Sequence, residues 1–174
     1  TGASAVFDTI ENDTKPVFTG ATSVTENGVA FLTVALSGNP GTSRTLNIAS
    51  SNVLAVNALP ATLSFNTTNW NIPQSVLLSG TPDSNIVSES VTITGSGVGL
   101  VSDTTTITAN DINTMSIVLS GNPATVSEGG TTNFNVKLAQ EPTPSLTVSL
   151  ASGTVGSVTV GTASITFDNV CPGA

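Results

Sequence analysis

The chain has 174 residues and a mass of 17.3 kDa, with 11 acidic residues against 3 basic ones and a net charge of −8. It has no His and a single Cys, Cys171, which excludes His-based catalytic triads, His-ligated zinc or haem, and an internal disulfide. Its acidity makes nucleic acid and anionic membrane surfaces poor partners, and no apolar run approaches the roughly 18–20 residues that a membrane helix needs. The sequence opens at Thr1 without a basic-then-apolar leader, so a secretion signal is expected to have been removed or to lie outside it. Thr and Ser together number 51 and Val 20. Thr and Val are branched at Cβ, which restricts them in helices and suits a pleated strand. An apolar content of 38% and a mean hydropathy of +0.28 provide the burial that a disordered chain lacks. The chain reads as all-β.

In chain order, the first alternating run is Ala30, Leu32, Val34 and Leu36. Next come Leu46 and Ile48, then Ala61, Leu63 and Phe65, then Val76 and Leu78, then Val91 and Ile93. Side chains two apart share one face of a strand, and the expected core is Leu32, Val34, Leu36, Leu46, Ile48, Leu63, Phe65, Val76, Leu78, Val91 and Ile93. Turn signals lie between the runs: Gly38-Asn39-Pro40-Gly41, Asn66-Thr67-Thr68-Asn69, Gly80-Thr81-Pro82-Asp83 and Gly95 to Gly99. Short strands at such spacing predict a sandwich or small barrel.

The sequence repeats itself at an offset of 102. Glu26-Asn27-Gly28 corresponds to Glu128-Gly129-Gly130, and Leu32, Val34 and Leu36 to Phe134, Val136 and Leu138. Pro40 corresponds to Pro142, Arg44–Ile48 to Leu146–Leu150, and Ala61, Leu63 and Phe65 to Ala163, Ile165 and Phe167. The correspondence needs no gap and keeps the in/out parity of every strand. Near the start, Asn12-Asp13-Thr14 echoes Asn110-Asp111-Ile112. The expected organisation is therefore residues 1–13 as the last strand of a preceding module, 14–112 as a complete module, and 113–174 as an incomplete second one. Such a tandem array is quasi-one-dimensional.

Two Val-x-Glu-x-Gly starts (Val24–Gly28 and Val126–Gly130), the stretch Leu63-Ser64-Phe65 to Asn69-Trp70-Asn71-Ile72-Pro73-Gln74-Ser75-Val76, and the closing pair Asn110-Asp111 resemble Calx-β-like modules of bacterial surface proteins. The resemblance implies a seven-stranded immunoglobulin-like Greek-key sandwich, use in adhesion or as a spacer, and Ca²⁺ at module ends. The alternating runs place the seven strands at 16–24, 29–37, 43–50, 60–65, 74–81, 87–95 and 103–110. The second copy departs from the pattern, reading Cys171-Pro172-Gly173 where the first has Asn69-Trp70-Asn71. A sandwich lacking its last strands exposes apolar faces and edges, so the chain is expected to be a fragment, or to be completed by strand addition from another chain.

On that frame Glu26, Asp83, Glu89 and Asp111 converge on one pole and form the expected metal site. Calcium takes six to eight oxygen ligands. The loop 51–59 carries no acid and the closing run is reduced to Asn110-Asp111, so a calcium site there would be weak, and acids that are solvated loop residues are the preferred reading. Trp70 is either a ring for stacking on sugar or a loop aromatic packed on the core, and packing is the expected role. Cys171 is either a thiol for intermolecular pairing or an inert residue. Carboxylates in loops, without a cleft between them, do not make a glycosidase. Asn12-Asp13-Thr14 and Asn66-Thr67-Thr68 fit the N-glycosylation pattern. Gly95–Gly99 has neither a following helix nor a Lys and reads as a hairpin turn, not a phosphate loop.

The expected function is a non-enzymatic structural or adhesive repeat segment, exported to a cell surface or extracellular fibre. Its partners would be neighbouring modules or identical chains. The alternatives are a strand-exchanged filament subunit and a carbohydrate-binding module using Trp70.

Overall fold

The computed structural model describes residues 14–121 and 125–168, and these contain strands and no helix. They fall into two units. The first comprises residues 14–82 and 89–110, and the second residues 83–88 with the chain from 111 onward.

Nine strands build the first unit: β1 (Pro16–Gly20), β2 (Ser23–Thr25), β3 (Val29–Leu36), β4 (Arg44–Ser50), β5 (Val56–Leu59), β6 (Thr62–Phe65), β7 (Gln74–Gly80), β8 (Glu89–Ser96) and β9 (Asp103–Asn110). They form a four-stranded sheet, β1-β3-β7-β5, and a five-stranded sheet, β2-β9-β8-β4-β6. The two inner faces make a β-sandwich core. All eleven core residues read from the alternation are buried, with Val34, Leu46, Val76, Leu78, Val91 and Ile93 fully so. Phe65 is the largest side chain fully enclosed. Period-two alternation succeeds here because each strand has one face in the core and one in water. On the outer face of the five-stranded sheet, Ser90, Thr92 and Thr94 stand opposite Thr108, Thr106 and Thr104. In that cross-strand array each Thr side chain stiffens its strand through branching at Cβ and can pair across the strands.

The strand count departs from the expected seven in two places. The segment 16–24 is not one strand. β1 pairs antiparallel with β3, whereas β2 pairs parallel with β9 in the other sheet. The crossing occurs at Gly20, whose φ of +108° is open to glycine and strained for other residues. In addition, β5 forms within the expected loop 51–59 and pairs with β7, burying Val56 and Ala58. The strand expected from residue 60 accordingly starts at Thr62.

The second unit has two strand pairs: β10 (Ile117–Ser120) with β11 (Asn135–Leu138), and β12 (Leu146–Ser149) with β13 (Ser164–Phe167). Arg44 lies opposite Phe65 in the first unit, and Leu146 lies opposite Phe167 in the second. Both partners are thus displaced by 102. The bond from Ile48 N to Ala61 O (2.8 Å) recurs from Leu150 N to Ala163 O (2.8 Å). Over β4–β6 and β12–β13 the sequence repeat is therefore a repeat of hydrogen-bond register, whereas β10–β11 is one residue out of step with β1–β3: Leu36 lies opposite Pro16, and Leu138 opposite Ile117. The described residues of this unit bury far less apolar surface: Leu119, Phe134 and Val158 are 46%, 40% and 46% exposed. An open cavity of about 520 Å³ is lined by Leu119, Phe134, Val136, Leu150 and Ile165 among others.

Candidate functional site

Two Asp-x-Asn triplets shape the acidic part of the second unit. Asp83 Oδ1 accepts a hydrogen bond from Asn85 N at 2.8 Å, and Asp83 Oδ2 accepts from Asn85 Nδ2 at 2.6 Å. Asp111 Oδ1 likewise accepts from Asn113 N. These are Asx turns, in which a short carboxylate satisfies a backbone donor two residues on. The Asn113 side chain then joins the two segments, its Nδ2 donating to the carbonyls of Asp83 and Asn85, each at 3.0 Å. Ser88 Oγ accepts from Asp111 N at 3.1 Å. The result brings carboxylate oxygens of Asp83 and Asp111 within 4.8 Å of each other. Asp111 Oδ2 is buried and has no hydrogen-bond partner. Like charges this close repel, and a hard cation is the chemical species that relieves such a pair. The donors are all oxygen, the ligand type that hard cations take, and one of them is an orphaned buried carboxylate oxygen.

Glu26 and Glu89 belong to the first unit. Glu26 follows β2 and is only 4% exposed. Its N donates to Asn110 O at 3.0 Å, and it bridges to Gly80 in parallel fashion. The adjacent turn places Asn27 at a φ of +56°, and Gly28 N donates to Thr25 O at 2.9 Å. Glu89 opens β8 opposite Ala109 and is half-buried. The spacing of acids alone did not show that Glu26 is enclosed. Nor did it show that Asn85 and Asn113 organise the segment. The readable signal for the latter was the Asp-x-Asn spacing itself.

Trp70 packs, partly buried, against the core of the first unit, and its carbonyl accepts from Leu36 N at 2.7 Å. Residues 97–100 form a turn in which Leu100 N donates to Gly97 O at 3.1 Å and Gly99 has a φ of +73°. Residues 1–13 and Cys171 lie outside the described residues. Lys15 pairs with Asp103 at 2.8 Å on the surface. The hydrogen bond from Lys15, followed by that from Thr104 N, holds the Asp103 carboxyl below its ordinary value.

No protein-family model matches the chain, and no curated protein matches it. Among solved structures it is similar to the native conformation of Escherichia coli alpha-2-macroglobulin, seen by cryo-electron microscopy. The identity is 11% and the TM-score 0.42, over 62% of this chain and 7% of that one. It is also similar to the crystallised YadV chaperone, at 10% identity and a TM-score of 0.42, over 61% of each chain. The chain thus spans less than two thirds of either.

Proposed function

We propose that the chain is a non-enzymatic structural or adhesive repeat segment of a bacterial cell-surface or extracellular protein, built from Calx-β-like modules. The observation that carries this reading is the displacement by 102 of both partners in the β4–β6 and β12–β13 registers. A strand pairing that recurs residue for residue marks one supersecondary unit used twice. The composition supports it. Hydroxyl-rich strand faces need no cofactor, and a chain without His has few pairings of nucleophile and base. Antibody raised against the chain and applied to intact cells of its source organism tests the reading. Labelling and protease sensitivity on unbroken cells are expected, and signal only after lysis would refute export.

Calcium would be held by Asp83 and Asp111, whose neighbouring carboxylates supply hard oxygen donors. The bound ion would relieve their repulsion and stiffen the Asp-x-Asn turns.

The open apolar cavity of the second unit favours a second reading, a filament subunit that takes a strand from another chain. Size measurement of the purified chain separates the two. Concentration-independent monomers agree with a repeat segment, and large ordered assemblies agree with strand exchange.

A further inference from the structure

We propose that Asn66 is an acceptor for an N-linked glycan. The triplet Asn66-Thr67-Thr68 has the required form, an Asn amide with a hydroxyl residue two positions on. It lies in the loop that follows β6, where Thr67 and Thr68 are exposed and Asn66 is half-buried. The Asn66 side chain is used at one end only. Its Oδ1 accepts from Thr68 N at 2.8 Å, from Thr68 Oγ1 at 2.8 Å and from Asn69 N at 3.1 Å. Among the described residues its Nδ2 has no hydrogen-bond partner. The loop therefore depends on the amide carbonyl and leaves the amide nitrogen unused. Attaching a sugar replaces one N–H by an N–C bond and keeps the carbonyl, so all three turn bonds survive the modification. The Thr68 hydroxyl draws electron density from the carbonyl oxygen, which makes the amide N–H more acidic and the nitrogen easier to deprotonate. The folded loop thus already holds the contact for which the third residue of the triplet must carry a hydroxyl. The other triplet, Asn12-Asp13-Thr14, lies outside the described residues except for Thr14, which is only 2% exposed. In the second repeat the position corresponding to Asn66 is Asp168, which has no amide to modify.

The co-substrate is a sugar activated through a phosphate at its anomeric carbon. The bond from Nδ2 to the anomeric carbon forms as the bond from that carbon to the phosphate oxygen breaks. The phosphate leaves with the electron pair, and one amide proton passes to a base of the transferring enzyme. The test incubates the folded chain in two arms: a soluble N-glycosyltransferase with a nucleotide-activated hexose, and a membrane oligosaccharyltransferase with a lipid-pyrophosphate-linked glycan. Mass spectrometry of the peptide containing Asn66 reads the result. A glycan on Asn66 is expected in one arm, and that arm identifies the source of the sugar. Thr68→Ser should retain the modification and Thr68→Ala should lose it. Asn66→Asp keeps an oxygen for the turn and should fold, as judged by circular dichroism, yet take no sugar. An unmodified peptide in both arms overturns the proposal, as does modification of the denatured chain alone.

Discussion

Gly80 ends β7 at a point where no side chain fits. A Cβ built there would lie 2.2 Å from the Thr25 carbonyl oxygen, a backbone atom fixed by the turn before β3. Gly80→Ala should therefore displace backbone and destabilise the fold by about 1–3 kcal/mol, the usual cost of overpacking. Urea denaturation measures it, and an unchanged midpoint would mean the turn yields freely. Phe65 is the opposite case, a large ring 1% exposed between the sheets. Phe65→Ala should cost about 3–5 kcal/mol through lost transfer energy and a residual cavity. Asp103 governs a small pH effect on the surface. Its folded-state pKa is lowered, first by the hydrogen bond from Lys15, so the unfolded chain binds its proton more readily. The pair thus adds stability above the ordinary carboxylate value. That stability is lost as pH falls through the ordinary value toward the lowered one. Stability plotted against pH should fall less steeply on the acid side in Asp103→Asn than in the wild type, with no difference in slope at neutral pH.

At the level of elements, the two units differ in how their strands are supported. β3, β7, β8 and β4 each pair on both sides, and their inward residues are almost wholly enclosed. Among the described residues, β10–β11 and β12–β13 are two-stranded, and an isolated pair is marginal in water. Hydrogen exchange followed by mass spectrometry should find β7 and β8 protected to near the global unfolding limit. The amides of β10 to β13 should exchange orders of magnitude faster, and equal protection would show that the second unit is as cooperative as the first. The same contrast explains what the sequence made legible. Leu32, Val34 and Leu36 announce β3 because a large apolar side chain recurs at every second position. β5 escaped because Val56 and Ala58 are a short pair, one of them small, within a stretch lacking turn-to-turn alternation. The break between β1 and β2 is marked by Gly20 alone, and the change of sheet is a tertiary event that no local pattern encodes. The acids Asp83 and Asp111 were readable as residues. Their organisation by Asn113 was not, because that depends on two segments 28 and 30 residues distant meeting through one amide. The burial of Glu26 likewise comes from packing at Gly80 and Asn110, far away in sequence.

For the molecule as a whole, a net charge of −8 with only three basic residues makes self-repulsion a standing cost of the compact state. Lys15 is committed to Asp103, and Arg44 donates from Nη1 to the Val98 carbonyl at 3.3 Å. Under the proposal of bound calcium, the Asp83–Asp111 pair is where a divalent cation would relieve that repulsion. Two carboxylates, helped by amide and backbone oxygens, are few for calcium, so the dissociation constant should fall in the weak extracellular range, about 10⁻⁴–10⁻³ M. Calcium at ten times its dissociation constant stabilises by about 1.4 kcal/mol through mass action, which corresponds to a rise of a few degrees in melting temperature for a chain of this size. The rise should appear in about 10 mM Ca²⁺, ten times the weak limit, relative to EDTA, and should be absent in NaCl of matched ionic strength, which screens charge without coordinating. Asp111→Asn isolates the effect. Its amide oxygen can still accept from Asn113 N, so the turn survives, whereas the charge is gone and an amide NH2 stands in place of the orphaned carboxylate oxygen. In that variant the melting temperature without calcium should rise slightly, as one repelling charge is removed, and the calcium-dependent increment should vanish. Identical melting of the wild type in EDTA and in calcium would make Asp83 and Asp111 plain turn-forming residues, their carboxylates holding the Asx turns at Asn85 and Asn113.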